Sequence, residues 1–159
     1  MATRMAAAMS ASDGATTSAS TADQIAFQYV VLRCVPRVDR EEFLNVGVVL
    51  FAPDVDFLRA AWRLNQARLH ALDPSLDLGR VREALTWVDQ ICDGRANAEL
   101  SVGVRATAYG TRQAADGPGQ RFGLLKAPRS TTIQPGAVHG GVTTDPAAQL
   151  RLLLDSYVS

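Results

Sequence analysis

Between Ala127 and Gly141 the chain gathers Arg129, Ser130, Thr131, Gln134 and His139 among two prolines and three glycines. These residue types suit an oxyanion. Arginine offers a planar fork to a carboxylate or phosphate, and the hydroxyls of Ser and Thr add donors. His139 can change charge near neutral pH. Proline lowers the entropy lost when such groups become ordered. The same set could serve catalysis, with Arg129 holding an anion, Ser130 or Thr131 bonding to it and His139 as acid or base. No acidic partner stands at a recognised spacing, so binding ranks ahead of catalysis. The structural alternative is an ordered loop in which Arg129 pairs with a buried carboxylate and His139 caps a turn.

A second unusual stretch runs from Arg37 to Gly47. The charge-dense segment Arg37-Val38-Asp39-Arg40-Glu41-Glu42 leads directly into an apolar run interrupted by Asn45 and Gly47. Strict alternation puts Phe43, Asn45 and Gly47 on one face. A buried Asn needs hydrogen-bond partners, and a Gly weakens a strand unless a bulge or a close approach requires it. Two readings follow: a floor for a ligand, or a bulge with Asn45 tying down a loop. The second is the more economical.

Other chemistry finds little support. Cys34 and Cys92 form no C-x-x-C and read as buried, reduced thiols. His70 and His139 lack clustered partners, so no metal site is expected. No P-loop, nucleophile elbow, zinc-protease or dinucleotide fingerprint is present, and no cofactor is implied. No stretch reaches the roughly 20 apolar residues of a membrane span, and no secretory h-region appears. A cytoplasmic location is the default expectation.

The elements that must position these groups are legible in part. Residues 1–23 hold no aromatic, Leu, Ile or Val and cannot offset their own ordering entropy. They read as a disordered tail, and every methionine lies there, which leaves room for a later start. Residues 24–159 form the expected single domain. Apolar residues on both faces of Ile25–Val35 predict a strand covered on both sides, ended by Pro36. Phe43–Ala52 and Phe57–Arg63 follow as strands, and their short connections favour a meander. A short helix is expected over 65–72. Leu78, Val81, Leu85, Val88 and Cys92 recur at helical spacing, predicting a long helix over 76–93 with Gly94 beyond its end. Residues 95–120 give no decision. Asp116–Gly119 reads as turn or loop, and Phe122–Leu125 and Thr131–Ile133 as short strands. Asp145 and Pro146 open a C-terminal helix. The result is an α+β domain: a mainly antiparallel sheet of four to six strands packed against a long central helix and a C-terminal helix.

Charge sharpens the question. Sixteen basic residues balance sixteen acidic ones, and fifteen of the basic residues are Arg. Zero net charge argues against a broad polyanion-binding surface, and no aromatic–basic interleaving suggests nucleic acid. Yet no acidic residue occurs from 117 through 144, where Arg121, Lys126 and Arg129 lie.

Both unusual segments carry a resemblance. Tyr29-x-x-x-Arg33-x-x-Pro36 followed by Glu42-Phe43-x-Asn45-Val46-Gly47-Val48 resembles the opening of the bacterial domain of unknown function 3037 family. Ala127-Pro128-Arg129-Ser130-Thr131-x-Ile133-Gln134-Pro135 and x-Val138-His139-x-Gly141, with Asp145-Pro146 leading into the final helix, resemble its second block. Genes of this family often neighbour those of HipA-type serine/threonine kinases. The resemblance therefore implies an accessory or regulatory partner of such a kinase, and the dense polar set between Ala127 and Gly141 makes a non-enzymatic interaction protein the leading expectation. Arg129, Ser130, Thr131, Gln134, His139, Asn45 and Arg37 would form or border its surface. The alternative is a small enzyme or binding protein for a phosphorylated or carboxylated small molecule, using the Arg129–His139 loop.

Overall fold

A computed structural model describes residues 23–95 and 117–158 of the chain. The expected 1–23 tail lies outside the described residues but for Asp23, and so do residues 96–116 of the undecided stretch. Among the described residues, four strands form one antiparallel sheet: β1 (Ile25–Cys34), β2 (Leu44–Ala52), β3 (Phe57–Trp62) and β4 (Ile133–Thr143). Their order is β3-β2-β1-β4. Four α-helices accompany them: α1 (Gln66–Leu72), α2 (Leu78–Cys92), α3 (Pro118–Lys126) and α4 (Pro146–Tyr157). The α+β architecture is as expected from the sequence.

The helices divide between the two faces of the sheet. On one face, Val30, Leu32, Cys34, Val49 and Leu58 meet Leu69 of α1, Val81, Leu85, Val88 and Ile91 of α2, and Phe122 and Leu125 of α3. On the other, Phe27, Val48, Leu50 and Ala52 meet Leu150 of α4. Burial on both faces explains why β1 and β2 are apolar throughout their centres rather than alternating.

Helix ends follow local chemistry. Asn65 accepts the Arg68 amide, Asp77 the Arg80 amide, and Asp145 the amides of Ala147 and Ala148. Each satisfies a donor that the first turn leaves without an intrahelical partner. Gly94 adopts φ +71° just beyond α2, a left-handed conformation that favours glycine. Pro74 lies in the turn between α1 and α2.

Two elements differ from expectation. Phe122–Leu125 is helix, within α3, because Gly117 and Pro118 open a helix instead of a loop. Four residues are too few to separate a period of two from one of 3.6. The polar stretch beyond Ile133 is not a loop but the eleven-residue β4, and of the short strand expected over Thr131–Ile133 only Ile133 belongs to it. Pro135 obscured this strand, yet an edge strand tolerates proline. Gly136 and Ala137 together oppose Val31, a bulge that absorbs the irregularity.

A second bulge resolves the Asn45–Gly47 question. Leu32 pairs with Gly47 and Arg33 with Asn45, leaving Val46 as the extra residue. The shift sends Asn45 to the α4 face and Gly47 to the α2 face, so the expected shared face is not formed. A Cβ on Gly47 would stand 2.8 Å from Trp62 Cβ and 2.9 Å from the Ala61 carbonyl oxygen. Trp62 cannot retreat easily, because its indole donates to Asp89 of α2 at 2.8 Å. Gly47→Ala is expected to lower stability by about 1–3 kcal/mol through overpacking. A urea midpoint unchanged from the native chain would refute the close approach.

Both thiols are free and buried, as expected. Burial pushes Cys34 up to about 11 and Cys92 up to about 12. Neither forms thiolate near neutral pH, so neither is a ready nucleophile.

Candidate functional site

Residues 127–132 connect the end of α3 to β4 and run beside α2. Val35 donates to the Thr132 carbonyl at 2.7 Å, which anchors this connection to the continuation of β1. The arrangement opens a cavity of about 500 Å³ between the connection, α2 and the α1–α2 turn. Pro36, Ser75, Arg80, Trp87, Arg129 and Thr131 are among the residues that line it.

Arg129 dominates the cavity's chemistry. Its guanidinium lies over the Trp87 ring, 5.0 Å from the centroid. One Nη donates to the Leu124 carbonyl at 2.6 Å, satisfying one of the acceptors that α3 leaves unpaired at its C-terminal end. Burial pulls its pKa below the ordinary arginine value while leaving it a cation. None of the ion pairs among the described residues includes it. The expected pairing of Arg129 with a buried carboxylate is thus replaced by a carbonyl and an indole face. A partly desolvated cation without a counter-ion favours an incoming anion.

Two carboxylates stand at the rim, and both are engaged. Asp73 accepts the Ser75 amide at 2.9 Å and its hydroxyl at 2.7 Å. These bonds hold its carboxyl below the usual range, with Arg37 and Arg40 adding to the effect. Asp77 caps α2 and lies 3.6 Å from Arg80. Arg37 itself pairs with Asp39 at 2.8 Å, on the exposed loop that follows Pro36.

The residues singled out by sequence divide into groups. Arg129 and Thr131 line the cavity, and Arg37 approaches its Asp73 rim. Thr131 turns its hydroxyl inward to the Ile133 carbonyl at 2.7 Å, and Ser130 is exposed beside it. Gln134 pairs across the sheet with Arg33. Asn45 and His139 lie on the opposite, α4 face. Asn45 donates to the Tyr157 carbonyl at 3.2 Å, tying down the end of a helix and not a loop. His139 caps no turn: its ring stacks on Tyr29 at 5.2 Å, and Tyr29 shares a 3.0 Å hydrogen bond with the Tyr157 hydroxyl. The sheet separates His139 from Arg129, so the catalytic arrangement that needed both in one cleft is not made by this fold.

The local cationic stretch also disperses. The Arg121 guanidinium crowds Gly94 at the end of α2, and Lys126 Nζ lies 5.5 Å from the centroid of the Phe122 ring. Arg129 alone of the three lines the cavity, where Arg80 joins it from α2. Trp87 lies at the edge of the apolar stripe of α2, only partly buried against the core. That marginal position, half toward the core and half toward the connection, was its one sequence signal.

Fold and site together define a small α+β protein with, among the described residues, one antiparallel sheet and an arginine-lined cavity beside its long helix. The chain belongs to the family described as Protein of unknown function (DUF3037), which it matches over residues 29–158. That span contains the whole cavity and all seven candidate residues. No curated protein matches the chain, and no solved structure does. Among the described residues no helix is long and apolar enough to cross a membrane.

Proposed function

We propose that this protein is a non-enzymatic accessory protein of the cytoplasm whose α2 cavity receives an acidic group of a protein partner. One observation carries the reading: Arg129 is half-buried on Trp87 and is paired with no carboxylate among the described residues. A carboxylate or phosphate would restore the solvation that the guanidinium has lost, in a charge-assisted and geometrically specific way. The family resemblance makes a HipA-type kinase the partner to test first. The full chain should retain that kinase through co-purification, and Arg129→Glu should release it. Failure of the native chain to retain the kinase, under conditions where both are folded, overturns that partner.

A second reading is supported by the cavity's volume. About 500 Å³ falls within the range of small-molecule sites. Under this reading a phosphorylated or carboxylated small molecule occupies the cavity, with Arg129 on its anion and Arg80 at its mouth. A thermal-shift series with such compounds distinguishes it. A ligand at one hundred times its dissociation constant stabilises the fold by about 2.7 kcal/mol, and Arg129→Glu should abolish that gain.

A further inference from the structure

Among the described residues β4 lies at one side of the sheet, and its outer edge has no strand beside it. Natural proteins protect such edges with short strands, charges, prolines or bulges. The opposite edge follows this rule: β3 has six residues, carries Arg59 and is flanked by Asp54, Asp56 and Arg63. β4 follows it only in its first half, at Pro135 and the Gly136–Ala137 bulge. From Val138 to Thr143 it holds no proline and no Asp, Glu, Lys or Arg. Val138 and Val142, opposite Val30 and Ala26, are 45% and 57% exposed on the α2 face.

We propose that this edge is a homodimer surface. Two copies pair β4 with β4, antiparallel, about a two-fold axis at Gly140, so that each sheet continues into the other. This is an isologous interface, self-complementary by construction. It is independent of the α2 cavity and of what that cavity binds.

The order of residues selects this register. Centring on Gly140 sets Val138 against Val142 of the partner subunit, and Val142 against Val138 of the partner subunit. Directly opposed residues of antiparallel strands share a face, at Cα separations of about 4.5–5.5 Å. Both valine pairs therefore form on the α2 face. On the α4 face His139 falls against Gly141 of the partner subunit. Gly141 has no room for a side chain, because a Cβ there would stand 2.8 Å from Phe27 Cζ. The Phe27 ring covers that glycine, and the incoming imidazole meets its edge, an aromatic cross-strand pairing over a glycine. A register centred on His139 sets imidazole against imidazole and both valines against glycines. One centred on Gly141 leaves Val142 against a glycine. Of these three registers the Gly140 one alone satisfies both faces, and it brings no like charges together.

Size-exclusion chromatography with light scattering tests this on the full chain. The native chain should show a dimer mass that falls toward the monomer on dilution. Two double variants, Val138→Glu with Val142→Glu and Val138→Lys with Val142→Lys, should each be monomeric with unchanged far-ultraviolet circular dichroism, since both positions are exposed. Mixing the two variants should restore the dimer mass, because the register places every introduced carboxylate opposite an introduced ammonium. A native chain that is monomeric at every concentration overturns the proposal. So does a dimer that persists in both double variants, or a mixture that stays monomeric.

Discussion

Leu85→Ala should lower the unfolding free energy by about 2–5 kcal/mol, the range for emptying a buried leucine site. Leu85 has no exposed surface and sits mid-way along α2. It belongs to the core cluster that joins Val30, Leu32 and Val49 of the sheet to Phe122 of α3. Helix and sheet are each held by their own hydrogen bonds and cannot collapse fully into the space left by three missing carbons, so transfer and cavity terms add. Leu152 provides the control. It is 61% exposed on α4, and its truncation should stay within about 0.5 kcal/mol. Urea unfolding of the two variants checks the contrast. Equal midpoints would mean that α2 does not dock on the sheet as described. For a protein with a stability on the order of 5–15 kcal/mol, the Leu85 loss approaches the margin for folding.

Arg129→Ala should separate binding from folding. The fold loses one hydrogen bond to the Leu124 carbonyl and the stacking on Trp87, together about 1–2 kcal/mol. Binding loses the charge that the cavity offers an anion, which costs about 2 kcal/mol or more, or roughly thirtyfold in affinity. Arg129→Lys should fall between the two. It keeps the charge, but a point-like ammonium neither stacks on the indole nor presents a fork. Calorimetric titration against the proposed kinase partner, with inorganic phosphate as the small-anion probe, measures both variants. An alanine variant that binds both as well as the native chain would remove the cavity from the protein's function. A variant that loses binding only by unfolding would show as a matching loss of stability, and the lysine variant guards against that confusion.

The elements most legible in sequence were those whose local rules and tertiary roles agree. α2 and α4 carry apolar stripes, capping aspartates and a terminal glycine or an initial proline. β1 and β2 are apolar on both faces because helices cover both faces. Legibility failed where a short signal met a tertiary exception. α3 offered Phe122 and Leu125 at a spacing too brief to interpret. β4 looked like a loop because its glycines and proline are tolerated at an edge and absorbed by a bulge. The candidate site was legible as residue types and not as a place: Arg129 was found, but its partners Trp87 and Leu124 lie on other elements.

By itself the sequence determined the class of fold, the two-sided burial of the central strands, the inert thiols and the family to which the chain belongs. These follow from periodicity, capping chemistry and ordered motifs, all of which are local. Only the tertiary structure decided which polar residues share a face. A single extra residue, Val46, reverses the alternation in β2 and parts Asn45 from Gly47. The sheet then stands between His139 and Arg129, ten residues apart in a segment that reads as one site. The physical reason is that facing in a strand is a parity, which one bulge inverts, while the partner of a side chain is set by elements that need not be near it in sequence.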